Sequence, residues 1–209
     1  MKKILISQRL IANSSYYEVR ECLDINWCKY LQYNGYIPIV LPLHVDPDLY
    51  FSHFNIDGVI LTGGNSLNNV DPNELSSQRD QVELKLIESS IKKKIPLFGV
   101  CRGMQILAKF FSSDLIKIDG HTATRHKLNC SLDSKYFKII NQYNSVNSYH
   151  DYAIREIADD FIIAATSSDG TIEAIEHKEL KVFGQMWHCE RESPFCKTDC
   201  ELLNLIFKG

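Results

Sequence analysis

The segment Gly99-Val100-Cys101-Arg102-Gly103 constrains this chain more than any other. Before it runs the short apolar stretch Ile95-Pro96-Leu97-Phe98, the pattern of a buried strand. After it, the apolar positions of residues 104–111 recur at helical spacing. A strand must therefore feed directly into a helix, and the two glycines permit a turn too crowded for side chains. Such a turn lifts the Cys101 sulfur above the sheet end and sets it at the helix N-terminus. There the helix dipole and free backbone N–H groups favour a thiolate. The pattern is the sulfur counterpart of the strand–turn–helix elbow that presents a catalytic nucleophile. Its alternative is a core cysteine in an ordinary turn.

Strand and helix patterns alternate along the chain, which predicts an α/β fold with a mostly parallel sheet and helices on both faces. Strands are expected at 3–7, 37–41 and 57–62, the last ended by Gly63-Gly64. Helices are expected at 18–33, 78–93 and 198–207, and short strands with polar turns from 127 to 187. With no internal repeat or linker, residues 1–209 read as one domain. The run Lys92-Lys93-Lys94 precedes the elbow strand, at the sheet end opposite Cys101, and reads as a solvated face.

A thiolate nucleophile needs a base, and the base needs an orienting group. The run Val182-Phe183-Gly184-Gln185-Met186-Trp187 reads as a buried strand with His188 at its carboxyl end. Open α/β sheets bind ligands outside the carboxyl ends of their strands, so Cys101 and His188 are expected on one rim. Glu190, two residues on, can accept from the second imidazole nitrogen and fix the tautomer.

Composition narrows the partners. A net charge of −3 gives no reason to expect nucleic acid, and no apolar run is long enough to cross a bilayer. The apolar part of residues 1–8 is too short for a signal peptide, so a cytoplasmic location is expected. The seven cysteines are then mostly reduced thiols. Cys189, Cys196 and Cys200 lie near His188 and raise a zinc site. Yet no Cys-x-x-Cys pair is present, and metal on His188 would remove the base. No metal and no cofactor are expected, and the sequence names no protein partner.

Four blocks in order carry a family resemblance: Leu61-Thr62-Gly63-Gly64, residues 99–105, Val146-Asn147-Ser148-Tyr149-His150-Asp151-Tyr152-Ala153-Ile154, and residues 184–190. Residues 168–175 and Arg79-Asp80 add to it. The chain resembles class I glutamine amidotransferase-like proteins with a Cys-His-Glu triad, and within them the γ-glutamyl hydrolase branch. It departs at Cys189, where the family usually has proline, and in a short stretch between Gly64 and Arg79. The resemblance implies a flavodoxin-like fold and hydrolysis of a γ-glutamyl amide through a γ-glutamyl thioester. It makes Cys101 the nucleophile, His188 the base and Glu190 its orienter, with Gly64 and Arg102 N–H groups as the oxyanion hole. Gln105 and Asn147-Ser148-Tyr149-His150 fall where the family grips the glutamyl end, His150 being the side chain nearest substrate.

Compactness and basic residues on the rim (Arg9, Arg125 to Lys127, Arg191) suit a bulky phosphorylated leaving group. Within the branch the chain looks most like the short γ-glutamyl-CDP-amidate hydrolases of capsular phosphoramidate synthesis. His121 and His126 read as loop or surface residues. Arg102 is expected in buried hydrogen bonds, with Arg79-Asp80 as a helix cap or its partner. The alternatives are a glutaminase subunit feeding ammonia to a separate synthetase, a hydrolase of another γ-glutamyl amine, and a non-catalytic binding protein on the same fold.

Overall fold

The computed structural model describes residues 1–208. In chain order the elements are β1 (Lys2–Ile6), β2 (Arg9–Ala12), β3 (Val19–Cys22), α1 (Ile25–Tyr33), β4 (Tyr36–Val40), α2 (Pro47–His53), β5 (Gly58–Leu61), α3 (Glu74–Lys92), β6 (Leu97–Val100) and α4 (Arg102–Phe110). There follow β7 (Asp114–Lys117), β8 (Thr122–His126), β9 (Asn129–Cys130), α5 (Phe137–Ile140), β10 (Val146–Tyr149), β11 (Tyr152–Glu156), β12 (Phe161–Thr166), β13 (Ile172–His177), β14 (Val182–Gln185) and α6 (Lys197–Lys208).

The central sheet has the order β4-β1-β5-β6-β14-β13-β12-β9. Its first five strands are parallel, and the last three are antiparallel. Ile4, Ile6, Phe98 and Phe183 pack with Trp27 and Tyr30 of α1 and Leu202, Ile206 and Phe207 of α6. On the other face Leu5, Val59 and Leu97 pack with Leu86 and Ile87 of α3 and Ile106 and Leu107 of α4. This is the expected layering of helices over both faces of a mostly parallel sheet.

Three local expectations need correction. The helix expected from residue 18 begins at Ile25, and Val19–Cys22 instead pairs with β2 as a hairpin. Asp24 sets the start, because its side chain accepts from the Asn26 N–H at 2.9 Å and caps the helix. Helix α3 begins four residues before its expected start, capped by Asn73, which accepts from Ser76 N–H at 2.9 Å. Arg79 and Asp80 thus lie in its second turn and do not open it. Helix α2 was not expected, although Asp46-Pro47 supplies a capping carboxylate and a proline suited to the first turn.

Candidate active site

Strand β6 lies between β5 and β14, with Val100 in register with Gln185. Cys101 is one residue past β6 and His188 three past β14, so both emerge at the same sheet end. Cys101 takes φ 55° and ψ −111°, a left-handed conformation costly for any residue with a Cβ. Its backbone is fixed on both sides. The N–H donates to Gln185 O at 2.8 Å, and the carbonyl accepts from Met104 N at 2.9 Å and Gln105 N at 3.1 Å. Gly103 makes the geometry possible through close approach, since a Cβ there would lie 2.0 Å from Leu61 O. The thiol is 7% exposed and makes no cap for α4, whose N-terminus therefore faces it with free N–H groups.

His188 is 2% exposed. Its Nδ1 lies 2.6 Å from Glu190 Oε1, and the ring stands beside Cys101, both packed against Gly63. Asn147 clamps the backbone, accepting from His188 N at 2.9 Å and donating to His188 O at 2.9 Å. Burial alone would lower the imidazole pKa. The charges of Cys101 and Glu190 and their hydrogen bonds outweigh it and bring the ring to about 9. Gly63 lies flat against this pair: a Cβ there would sit 2.7 Å from His188 Cε1 and 3.5 Å from Cys101 Cβ. A thiol and an imidazole coupled this way can exchange a proton without leaving the site.

Beneath the elbow lies a buried ionic network. Arg102 pairs with Asp80 at 2.6 Å and with Glu83, and Lys109 reaches Asp80 at 3.1 Å. Arg79, 1% exposed, pairs with Glu83 at 3.0 Å. It donates to Thr62 O at 2.8 Å, Gly63 O at 3.1 Å and Gly64 O at 2.6 Å. A trans peptide points its N–H opposite its carbonyl, so holding Gly63 O turns the Gly64 N–H away from Arg79. Gly64 itself has φ +80°, which glycine takes without strain. Burial would raise the Glu83 carboxyl, but Arg102 and Arg79 hold it below its ordinary value. Burial, then Arg102, lowers Arg79 to about 10, which leaves it charged at neutral pH.

The residues expected around the glutamyl end separate into two groups. Gln105 donates to Tyr152 O at 2.9 Å from its amide nitrogen, and Tyr149 stands 45% exposed with its ring 6.1 Å from His188. The side chains of Asn147, Ser148 and His150 are committed elsewhere. Asn147 holds His188, Ser148 Oγ donates to His121 O at 2.6 Å, and His150 Nδ1 faces Tyr152 O at 3.1 Å. His121 lies in the loop before β8, as expected, but not at the surface: it is 2% exposed and faces Asp169 at 2.8 Å, with the ring of His126, half-buried at the end of β8 and not in a loop, 4.2 Å away. A short polar segment after Asp119-Gly120 hid this, because its burial comes from strands remote in sequence.

Arg9 and Arg191 line one opening with Asp24, Thr62, Gly63, Gly64, His188 and Glu190. The Arg9 side chain packs over Gly64, and the Arg191 guanidinium lies 4.7 Å above the Tyr149 ring. Arg125 instead pairs with Glu192 at 2.9 Å. The sequence reading took Gly63 only as a strand end and part of a motif, and missed its packing against His188, the Asn147 clamp and the reach of Arg79 to three consecutive carbonyls. Only the apposition of Arg79 with Glu83 at helical spacing hinted at a buried pair.

The chain is 39% identical over 191 residues to the γ-glutamyl-CDP-amidate hydrolase of Campylobacter jejuni, covering 90% of each chain. Its fold matches a candidate GMP synthase subunit from Thermoplasma acidophilum with a TM-score of 0.76 and 18% identity, over 100% of this chain and 93% of that one. A glutamine amidotransferase from Thermotoga maritima matches with a TM-score of 0.68 and 17% identity, over 99% and 84%. The Peptidase C26 family model matches residues 5–190, and the chain belongs to that family of glutamine amidotransferase-like hydrolases acting on amides.

Proposed function

We propose that this protein hydrolyses a γ-glutamyl amide, with γ-L-glutamyl-CDP-amidate as substrate and L-glutamate and cytidine diphosphoramidate as products. The product would serve phosphoramidate modification of a capsular polysaccharide, in the cytoplasm. The observation that carries the reaction is the Cys101–His188–Glu190 constellation on a left-handed elbow. The 39% identity to the Campylobacter hydrolase supports the choice of substrate.

Cys101 thiolate attacks the γ-carbonyl carbon, and the carbonyl pair moves onto oxygen. The Gly64 and Arg102 N–H groups receive that oxyanion, the first aimed by the Arg79 clamp and the second free at the start of α4. The His188 imidazolium gives its proton to the departing nitrogen as the C–N bond breaks, which leaves a γ-glutamyl thioester. Neutral His188 then takes a proton from water, whose oxygen attacks the thioester. The C–S bond breaks, glutamate leaves, and the thiolate–imidazolium pair is restored. Glu190 keeps the Nδ1–H tautomer throughout.

The glutamyl end is held by Gln105 through its amide oxygen, the amide nitrogen being bonded to Tyr152 O, and by the exposed Tyr149, while the Asn147, Ser148 and His150 side chains are bonded within the protein. Arg9 and Arg191 meet the diphosphate across the opening. Purified protein should release glutamate from γ-glutamyl-CDP-amidate with a kcat/KM at least ~100-fold above that for glutamine. That ratio equals about 2.7 kcal/mol, the scale of one or two charge-assisted phosphate contacts. Equal use of both substrates would remove the nucleotide and leave a general γ-glutamyl hydrolase. Glutamine hydrolysis that appears only with a second protein would favour a glutaminase subunit.

A further inference from the structure

We propose that His121 Nδ1, His150 Nε2 and Glu173 form a buried site for a divalent transition-metal ion, zinc by its donor set, that pins the β8–β10 ribbon to β13. His121 precedes β8, His150 sits between β10 and β11, and Glu173 lies on β13. They are 2%, 5% and 0% exposed, and their ligand atoms all fall within 4.8 Å of one another.

The tautomers are set from outside. His121 Nε2 faces the Asp169 carboxylate at 2.8 Å, so this nitrogen carries the proton and Nδ1 keeps its lone pair. His150 Nδ1 faces the Tyr152 carbonyl at 3.1 Å, which only accepts, so Nε2 keeps its lone pair. Both lone pairs point at Glu173 Oε1, at 3.3 and 3.6 Å. Neither contact is aligned as a hydrogen bond, and both Glu173 oxygens lack a hydrogen-bonding partner. Three acceptors thus converge, and a wholly buried carboxylate without donors is costly. A shared cation removes the conflict.

The separations suit a metal. Ligands about 2.0–2.1 Å from a tetrahedral ion lie roughly 3.3–3.4 Å apart, close to the two distances observed. Two imidazoles and one carboxylate favour zinc and its neighbours over magnesium or calcium. Each imidazole already has the outer acceptor that ligating histidines use, a carboxylate for one and a backbone carbonyl for the other. The backbone is also prepared, because His121 O accepts from His150 N at 3.1 Å and from Ser148 Oγ at 2.6 Å. Occupancy would stiffen the ribbon carrying Asn147, the clamp on His188.

The test is to titrate metal-free full-length protein with Co²⁺ and Zn²⁺. One equivalent should bind at micromolar Kd or tighter, with visible cobalt d–d bands, no near-ultraviolet thiolate charge-transfer band, and a raised Tm. His121→Asn and Glu173→Gln should each weaken binding at least ~100-fold, and Cys196→Ser and Cys200→Ser should leave it unchanged. Burial makes Glu173→Gln a folding risk, so Asp169→Asn, on the exposed outer carboxylate, provides a second arm with an expected loss of about 10-fold or more. The proposal is overturned by absence of stoichiometric binding, the result if a shared proton holds the cluster. A thiolate charge-transfer band, or full affinity in His121→Asn and Asp169→Asn, would overturn it equally.

Discussion

Replacing Arg79 with lysine tests whether the ionic network beneath the elbow aims the oxyanion donor. The guanidinium spans Glu83 and the carbonyls of Thr62, Gly63 and Gly64, with further contacts to Thr62 Oγ1 at 3.1 Å and Asn65 Oδ1 at 3.3 Å. Lysine keeps the charge and loses the fork, so it can satisfy one or two of these acceptors. Removing the charge altogether, as in Arg79→Met, breaks a buried pair and should cost about 3–5 kcal/mol. At about 2–4 °C of Tm per kcal/mol for a chain of this size, that is a fall of roughly 6–20 °C. Arg79→Lys should retain most of the fold, because Glu83 keeps Arg102 and accepts from Ser7 Oγ at 2.7 Å. Its defect should appear in chemistry. With Gly63 O no longer held, the Gly64 N–H loses its aim, and one oxyanion donor is worth about 10²–10³ in kcat. The assay is steady-state glutamate release below the measured Tm, with circular dichroism as the control for folding. We expect kcat down by roughly 100-fold and KM changed by less than about threefold. A folded Arg79→Lys with normal kcat would refute the clamp, and a change confined to KM would make it a binding element.

Cys101→Ala should abolish glutamate release without unfolding the protein, checked by single-turnover assay beside a melting curve; substantial residual turnover would remove the covalent mechanism. Because His188 is raised to about 9, kcat/KM should fall as pH rises through about 9, and Glu190→Gln should move that limb downward; a pH–rate profile reads both. The same raised pKa makes a stabilising contribution that is full below the unfolded value near 6.5 and lost as pH rises through about 9, which melting curves across that window should record. Charge reversal at Arg9 or Arg191 should shrink the preference for the nucleotide amide over glutamine by about tenfold per site while leaving glutamine hydrolysis nearly unchanged. Gly103→Ala should destabilise strongly, since its Cβ meets the Leu61 backbone and not a movable side chain; a chemical-denaturation midpoint checks it.

The parts legible in the sequence are those whose causes are local. A glycine-flanked cysteine between an apolar strand and an amphipathic helix encodes the elbow within a dozen residues. His188 and Glu190 are two apart, so their contact needs only a strand end. The hairpin of β2 and β3 was obscured because residues 18–33 contain apolar positions compatible with helix, while Asp24, which decides the matter, lies inside that range. The misreading of His121 has the opposite origin. Its neighbours in sequence are polar and short, and its burial depends on Glu173 and His150, respectively 52 and 29 positions away. No periodicity within one segment can report such a cluster. The same blindness explains why metal was weighed only at Cys189, Cys196 and Cys200, which are close in sequence.

The network under α4 also bears on how the loops around Cys101 are held. Arg79, Arg102 and Lys109 carry three positive charges against two negative ones on Asp80 and Glu83. The four groups nearly inaccessible to water balance, two positive against two negative, so the excess charge sits on the partly exposed Lys109, where solvent screens it. The positive field nearest the sulfur is therefore that of the N-terminal end of α4, at which Cys101 stands. Asp80 and Glu83 are needed because two buried guanidinium groups in such proximity repel. Burial first and Arg102 second lower Arg79, and Glu83 opposes them. The carboxylates therefore make it possible to keep both arginines charged, and the arginines in turn position the loop before Gly64 and the residue after Cys101. Neutralising a carboxylate should then disturb the oxyanion loop as well as the charge balance, which couples the stability of this network to the geometry of the nucleophile.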